Sequence, residues 1–256
     1  MPGGARISNA RIPNGDGIPR RWRVEHFAEL DSTNRYALAQ VRAGAEPGLV
    51  VVADHQTAGR GRLDRRWEAP PGSSLLVSFV LSAAVASGHG AVAATAVALA
   101  AAVDEVAGVA ASIKWPNDLV VGDRKLAGIL AETVSEASAV VVGAGCNVNW
   151  EAFPPELAAT ATACNLEAGR PVDRDSLLDA FLVRLDLELD DPTSCAQGYR
   201  SRLVTLGRRV RVERSGDDLV GEAVALADDG ALVVRDAAGT EHVVVSGDVI
   251  HLRDAS

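Results

Sequence analysis

Lysine is unusually scarce in this chain, and its few occurrences are close together. Only two of the 25 basic residues are lysines, Lys114 and Lys125, and both lie in the short segment 112–130. On a solvated surface the two cations are nearly exchangeable, but at a reacting centre lysine is a compact point charge whereas arginine is a planar fork. The pair therefore indicates a site that needs a point charge, although chance clustering of a rare residue explains the same pattern.

The lysine segment also carries an amide and a carboxylate. Asn117 and Asp118 follow Trp115-Pro116, and the proline fixes the backbone just before the carboxylate. A lysine, an asparagine and an aspartate this close together can bind phosphate, orient a nucleophile and help to hold Mg²⁺. The alternative is a surface hairpin whose Asn-Asp pair only forms a turn.

A second cationic segment combines arginine with glycine. The polar stretch 54–72 contains Gln56, Gly59, Arg60, Gly61, Arg62 and Trp67. Two arginines separated by one glycine on a mobile loop can close over a phosphate or a carboxylate, and the tryptophan can cap a ring or an apolar ligand. The segment lacks the spacing of a P-loop, and an ordinary exposed loop is the alternative.

Two further segments are compatible with a ligand site. Ser32-Thr33-Asn34 begins a helix, so it offers free N–H groups and side-chain oxygens to a polar ligand, or acts only as a helix cap. Gly143 and Gly145 interrupt an apolar strand, which indicates either a ligand pressed against the strand or a β-bulge.

These segments must be positioned by a framework of both strands and helices. The apolar pattern predicts strands over 22–30, 49–53, 74–81, 125–133 and 139–148, a hairpin about Gly122-Asp123, and helices from 31–34, over 90–107, 155–166 and 173–203. Five short strands with glycine- and aspartate-rich turns follow within 206–252, which is typical of a small β-barrel. Residues 1–20 are predicted to form a flexible tail.

Composition narrows the possible functions. The net charge of −9 argues against general binding to nucleic acid or to anionic membranes, because an acidic surface repels phosphate. Three widely spaced cysteines predict buried thiols rather than disulfides, and the five histidines show no metal-ligand spacing. Residues 91–102 form the longest apolar stretch, which is too short for a bilayer, and no signal peptide is visible, so we expect a cytoplasmic protein.

The order of the motifs is more specific than any one of them. Ser-Thr-Asn, then Gln-x-x-Gly-Arg-Gly-Arg-x₄-Trp, Lys-Trp-Pro-Asn-Asp, Lys-Leu-Ala-Gly-Ile-Leu and Gly-x-Gly-x-Asn resembles the biotin protein ligases over about residues 22–150. The resemblance implies an α+β fold: a mixed-sheet catalytic domain, like the class II aminoacyl-tRNA synthetases and biotin and lipoate ligases, with an SH3-like domain after it. The implied boundaries are 21–204 for the catalytic domain and 205–256 for the SH3-like domain.

The resemblance also implies a reaction. Ligases of this family form biotinyl-5′-AMP from biotin and ATP, with Mg²⁺ required, and then biotinylate a carrier lysine. The implied biotin-binding residues are Ser32, Thr33, Asn34, Gln56, Gly59, Arg60, Gly61, Arg62, Lys125, Gly128, Gly143 and Gly145. The implied ATP-binding residues are Arg60, Arg62, Trp67, Lys114, Asn117, Asp118 and Asn147, with Arg253 as a weaker candidate. The implied catalytic residues are Lys125, Arg60, Arg62 and Asp118; no metal ligand is assigned.

The implied partner is the biotin carboxyl carrier domain of acyl-CoA carboxylases, with no nucleic acid and no membrane. The similarity begins near Trp22, so we expect no helix-turn-helix domain and no repressor function, and a monomer or weak homodimer. Two alternatives stay open: a lipoate or octanoate transferase, for which ureido-binding side chains are unnecessary, and a non-catalytic biotin or nucleotide sensor.

Overall fold

The computed structural model describes residues 6–12, 20–63, 65–85, 88–213, 218–245 and 247–252. The strands are β1 (Arg6–Ile12), β2 (Arg20–Leu30), β3 (Leu49–Gln56), β4 (Ser74–Ser82), β5 (Ser112–Lys114), β6 (Asp118–Val121), β7 (Arg124–Val134), β8 (Ala139–Asn147), β9 (Arg209–Glu213), β10 (Leu219–Leu226), β11 (Leu232–Asp236), β12 (Glu241–Val244) and β13 (Asp248–His251). The helices are α1 (Thr33–Arg42), α2 (His89–Ala107), α3 (Cys164–Ala168), α4 (Arg174–Asp190) and α5 (Pro192–Arg202), with a 3₁₀ turn at Ser135–Ala137.

The larger sheet is mixed, as an α+β fold requires. Its eight strands run in the order β1-β2-β3-β4-β8-β7-β6-β5, and only β2 and β3 pair in parallel. The chain between them contains α1, the kind of crossover that parallel neighbours need. All other neighbours in this sheet are antiparallel.

Both faces of the sheet are covered, which explains why its central strands are apolar almost throughout. In β3, Val50 and Val52 pack with the cluster that includes α2 and α4, whereas Leu49 and Val51 pack on the opposite face with α1. This alternation follows from the period of two in a strand. The two helical layers therefore fix which face each polar side chain of the sheet occupies.

Helix α2 is a core helix despite its composition. It is longer than the apolar stretch seen in the sequence, and its 19 residues have the length and hydropathy of a membrane span. However, 67% of its most apolar stretch is buried inside the protein, and the helix packs against α4, α5 and the sheet. Alanine on most of its surface allows these neighbours to approach closely.

Three predicted elements differ in the structure. Part of the predicted tail, Arg6–Ile12, is a strand that pairs with β2 and so satisfies an otherwise open sheet edge; residues 1–5 and 13–19 lie outside the described residues. Most of the predicted helix 155–166 is instead turns and loop, and only residues 164–166 are helical, in α3. The predicted helix 173–203 is two helices, because Asp191 ends α4 and Pro192 begins α5.

The C-terminal strands form a separate five-stranded antiparallel sheet. The order β12-β11-β10-β9-β13 confirms the five predicted strands. Within the described part of the chain β12 and β13 do not pair, so a closed barrel stays a prediction.

The small sheet is fastened to the lysine segment by one buried tryptophan. Trp115 donates its indole N–H to the carbonyl of Gly230 at 2.9 Å, and its backbone N–H to Thr205 Oγ1 at 2.9 Å. The residues that follow Trp115 are therefore held by both sheets. Elsewhere, all three cysteines are buried and free, as predicted.

Candidate functional site

A pocket opens on the α1 face of the large sheet, where that helix begins. Beneath α1 the sheet presents apolar residues such as Val80 and Val141. Beyond the start of the helix, the same face presents Ser78, Gly143 and Gly128, which fill little space. The cavity that results has a volume of ≈ 120 Å³.

The glycines of β7 and β8 make the floor of this pocket. Gly128 and Gly145 are directly opposite one another in the β7–β8 ladder. A Cβ on Gly145 would lie 2.6 Å from Cε2 of Trp67, so the indole ring rests on the bare strand. A Cβ on Gly143 would lie 2.0 Å from Asn34 Oδ1. These glycines let neighbouring side chains approach closely, and the strand pairing through Gly143 and Gly145 is continuous, so of the two alternatives the structure shows close approach and not a β-bulge.

The start of α1 supplies a polar wall. Ser32 caps the helix by accepting from the backbone N–H of Arg35, and Ser32, Thr33 and Asn34 are all buried. The backbone N–H of Thr33 donates to Gln56 Oε1 at 2.7 Å, which joins this wall to the end of β3. Hydroxyl, amide and backbone groups thus converge at one end of the pocket.

The glycine-arginine loop lies over the opposite end. A Cβ on Gly59 would lie 2.3 Å from the carbonyl oxygen of Trp67, so glycine is needed where the two sides of the loop meet. Arg60 pairs with Glu132 at 2.9 Å. Arg62 donates to Asn117 Oδ1 at 3.0 Å. The loop therefore closes the pocket through its own arginines.

Lys125 lies at the same end as the loop. Its Nζ lies 2.7 Å from Asp118 Oδ1 and 5.7 Å from the centroid of the Trp67 ring. Asn117, beside Asp118, donates its amide to the carbonyl of Ile129 at 2.8 Å, which fixes the turn that carries both residues. Burial lowers the pKa of Arg62, and the nearby Asp118 opposes this effect. The arrangement concentrates positive charge in an acidic protein.

The structure brings together most of the residues that the sequence predicted for the site. The pocket is lined by Ser32, Thr33, Asn34, Gln56, Arg60, Gly61, Arg62, Trp67, Asn117, Asp118, Lys125, Gly128, Gly143 and Gly145. Gly59 is not part of the lining and shapes the loop instead. Arg253 lies outside the described residues.

Two predicted ATP-binding residues lie elsewhere. Asn147 is only 5% exposed, and its amide donates to the carbonyl of Thr162 at 3.0 Å, so it joins β8 to the following loop. Lys114 pairs with Asp118 in the β5–β6 ladder but lines a different cleft, between the large and small sheets. The structure therefore does not bring these two residues into the pocket, and their role in binding ATP stays a prediction.

The cleft lined by Lys114 is larger, at ≈ 1210 Å³, but some of its polar side chains already contact neighbouring protein groups. Arg208 lies 3.5 Å from Asp123, and His251 lies 3.2 Å from Thr205 Oγ1. It contains none of the motif residues except Lys114. We therefore place the candidate site in the smaller pocket.

The Lys114 cleft predicts a pH dependence of stability. Burial lowers the pKa of His251 from 6.5 to about 4, with Lys114 and Arg208 contributing. The unfolded chain therefore takes up a proton between these pH values that the folded chain does not, so the free energy of unfolding falls as the pH drops through this window. Urea unfolding across this range should give a shallower fall for His251→Gln than for the unmodified chain. Equal slopes would contradict this prediction.

Several functional neighbours were not predicted from the sequence. Glu132 binds Arg60, Ser78 contacts Thr33 and Asn34, and Asp248 of the small sheet pairs with Arg65. The only sequence signal for Glu132 is its position two and four residues after Leu130 and Gly128, on one face of β7. Asp248 lies in a turn-rich segment whose partner is far away in the chain.

The sequence comparisons agree with this geometry. Residues 27–149 match the model of the Biotin/lipoate A/B protein ligase family, and residues 205–252 match the Biotin protein ligase C terminal domain. The chain is similar to the biotin–[acetyl-CoA-carboxylase] ligase of Mycobacterium tuberculosis, with 36% identity covering 93% of this chain and 92% of that protein. It is also 32% identical to the ligase of the same name from Paracoccus denitrificans, covering 84% of this chain and 95% of that protein.

The structural comparison gives the same relationship. The biotin protein ligase from Aquifex aeolicus, solved in complex with biotin and ATP, superposes with a TM-score of 0.78. The match has 27% sequence identity and covers 90% of this chain and 99% of that chain.

Proposed function

The chain belongs to the biotin/lipoate A/B protein ligase family, and from this premise we propose that it is a biotin protein ligase. It would join biotin to ATP as biotinyl-5′-AMP, release pyrophosphate, and transfer the biotinyl group to a lysine of the carrier domain of an acyl-CoA carboxylase. The observation that carries this proposal is one pocket with polar partners at one end and Lys125, Arg60 and Arg62 at the other. A ligand with a polar ring and a reactive carboxylate fits this arrangement.

The polar end is assigned to the biotin ring. Ser32, Thr33, Asn34 and Gln56 supply donors and acceptors to the ureido group, and the bare strands at Gly128, Gly143 and Gly145 let the ring system approach the sheet. The cavity of ≈ 120 Å³ is small beside the roughly 300–1,000 Å³ of typical ligand pockets. Binding therefore requires the loop, with Trp67, to move from the glycine floor.

The cationic end is assigned to the reaction. A biotin carboxylate oxygen attacks the α-phosphorus of ATP, and the bond from that phosphorus to the pyrophosphate oxygen breaks. Two anions must meet in this step, so charge neutralisation and alignment are the main tasks of the protein. Lys125 suits the carboxylate and the α-phosphate as a point charge, and Arg60 and Arg62 suit fork-like contacts to carboxylate and phosphate.

The second step needs a neutral amine on the carrier. Its nitrogen attacks the biotinyl carbonyl carbon, and AMP leaves with the electrons of the acyl–phosphate bond. Asp118, at the reactive end of the pocket, is positioned to accept the amine proton or to direct Lys125. The closed loop, with Gly59 and Gly61, would keep water from the mixed anhydride.

The nucleotide is assigned to the side of the pocket formed by Trp67 and Asn117. Mg²⁺ would accompany ATP, held mainly by phosphate oxygens, as this ion usually binds through one or two carboxylates and the substrate. Asp118 fits such a role. No group of three or more histidine, cysteine, aspartate or glutamate side chains in the described ranges is arranged to hold a metal ion. Lys114 and Asn147 lie outside the pocket lining, and their contact with ATP stays a prediction.

The finer architecture is proposed on the same basis. The catalytic domain would comprise residues 21–204, with the topology of class II synthetases, and residues 205–256 would form the SH3-like domain. The hydrogen bond from Trp115 to Gly230 supports a role for the small domain in holding Asn117 and Asp118 in place. A cytoplasmic location and a monomer or weak homodimer stay predictions.

The first half-reaction is the direct test. Purified protein is mixed with Mg²⁺ and α-labelled ATP, with biotin, with lipoate, or with neither. A labelled acyl-adenylate that forms with biotin alone is the expected result. Formation with lipoate alone would move the chain to the lipoate-ligase branch, and no adenylate from folded protein that still binds biotin would favour a sensor.

A further inference from the structure

Glu132 lies behind the pocket and holds both of its ends. Its carboxylate accepts from Arg60 Nη1 at 2.9 and 3.2 Å, and from Asn34 Nδ2 at 2.9 Å. Its side chain is 23% exposed, against 41% for Arg60. One acidic residue therefore contacts the start of α1 and the arginine loop at once.

The carboxylate is the stronger of two acceptors that direct the Asn34 amide, since Asn34 Nδ2 lies 2.9 Å from Glu132 and 3.5 Å from the Leu130 carbonyl. Paired with Arg60, Glu132 can only accept hydrogen bonds, so the Asn34 NH₂ group must point to it. The Asn34 oxygen then points the other way, to Ser78 Oγ at 2.6 Å. Asn34 Oδ1 also lies 2.0 Å from the position that a Cβ on Gly143 would take, so this atom is packed against the strand.

The hydrogen bond from Ser78 to Asn34 determines the direction of the hydrogen bond between Ser78 and Thr33. Its oxygen lies 2.6 Å from Asn34 Oδ1 and 2.7 Å from Thr33 Oγ1, and the residue is fully buried. A hydroxyl has one proton, and the amide oxygen requires it. The proton in the Ser78–Thr33 contact must therefore come from Thr33.

The Thr33 hydroxyl oxygen can therefore act only as a hydrogen-bond acceptor toward the pocket. Gln56 Oε1, 3.1 Å from Thr33 Oγ1, competes for the same proton, but the Ser78 contact is shorter at 2.7 Å, and Gln56 Oε1 already accepts from the Thr33 backbone N–H. With its proton directed to Ser78, the Thr33 oxygen presents only lone pairs to a ligand. It thus suits an N–H donor, such as a ureido nitrogen.

We propose that Glu132 is a positioning residue that orients the Asn34–Ser78–Thr33 hydrogen bonds and so makes Thr33 an acceptor for a ligand N–H group. The proposal rests on biotin being the ligand, as argued above. Glu132 itself does not line the pocket. A glutamine at this position would present either an oxygen or an NH₂ group, so Asn34 and Thr33 would no longer have a fixed direction.

A double-mutant cycle tests this coupling. Biotin affinity is measured by calorimetry for the unmodified chain, Glu132→Gln, Thr33→Val and the double variant. Each single change should weaken binding about 10-fold, the effect of one lost hydrogen bond. The double variant should also be about 10-fold weaker, because the two changes remove the same contact. Additive effects, about 100-fold in total, would overturn the proposal, since uncoupled sites normally add.

Glu136→Gln is the matched control. This residue is exposed in the 3₁₀ turn after β7, so the same chemical change there should leave affinity unaltered and add to Thr33→Val. Should Glu132→Gln unfold, Ser78→Ala replaces it, since Ser78 does not line the pocket either. Ser78→Ala alone should weaken biotin binding about 10-fold, and in the Thr33→Val background it should cause no further loss. A further loss of about 10-fold in that background would overturn the proposal.

The outcomes separate this inference from the proposed function. An unmodified chain that does not bind biotin contradicts the proposed function. An unmodified chain that binds biotin, with an additive cycle, contradicts only the role of Glu132.

Discussion

Lys125→Ala should slow acyl-adenylate formation by about 100- to 1,000-fold and remain folded. In the proposed mechanism the ammonium group contacts the biotin carboxylate and the α-phosphate, and removal of one such electrostatic group typically costs about 100- to 1,000-fold in rate. The side chain is 39% exposed, so its loss leaves no buried cavity. Single-turnover formation of labelled biotinyl-AMP is the measurement, with thermal unfolding to verify the fold.

Arg42→Ala is the control for this prediction. It removes one positive charge from the exposed end of α1 and should leave the rate unchanged. Lys125→Arg should recover little of the rate, because a planar fork does not replace a point charge. An adenylate yield from Lys125→Ala equal to that of the unmodified chain would remove Lys125 from the mechanism.

A methyl group on the pocket floor should have the second-largest effect. We expect Gly145→Ala to weaken biotin binding and adenylate formation by about 10- to 100-fold, the equivalent of an overpacking cost of about 1–3 kcal/mol. A Cβ at this position would lie 2.6 Å from Trp67 Cε2, which shows that the floor accepts a ring only where no side chain is present. After Trp67 has moved, the methyl group would occupy the space that the biotin ring needs against the strand. Calorimetric titration with biotin measures the effect directly.

Gly90→Ala provides the comparison. A Cβ there meets nothing within 4 Å, and alanine favours the helix, so stability should be equal or higher and biotin affinity unaltered. If Gly145→Ala bound biotin as tightly as Gly90→Ala, the assignment of the glycine floor to the ligand would be incorrect.

The parts of the site that the sequence predicts are those in which residue type and local spacing carry the chemistry. The arginine pair of the loop, the helix start at Thr33 and the glycines of β8 are recognisable because each must do something that few other residues can. Glu132 and Ser78 lack such a signal. Their roles arise from the registers of β4, β7 and β8, which bring distant positions together, and register is a tertiary property.

Lys114 shows the limit of spacing as a guide. It is a Cα partner of Asp118 across β5 and β6, yet its side chain lines the cleft with the small sheet rather than the pocket. Nothing in the segment itself distinguishes these two directions. The packing of the C-terminal sheet against the hairpin creates the second cleft.

The secondary structure that was wrongly predicted has equally specific causes. Residues 155–166 have helical composition, but the backbone there is bound to β7: Lys125 N–H donates to Thr160 O at 2.7 Å, and Thr162 N–H donates to Lys125 O at 2.9 Å. These bonds to a distant strand outweigh local preference. The break between α4 and α5, in contrast, is marked in the sequence by Pro192, because the residue before a proline disfavours helical backbone.

The scarcity of lysine has a consequence for self-modification. An acyl-adenylate acylates any free amine that reaches it, so a ligase that makes one endangers its own side chains. Here Lys125 is held by Asp118, Lys114 faces a separate cleft, and every other cationic side chain is an arginine or histidine, neither of which has an alkylamine to acylate. For the proposed reaction, the protein surface is thus nearly inert to its own intermediate, and the carrier lysine meets little competition.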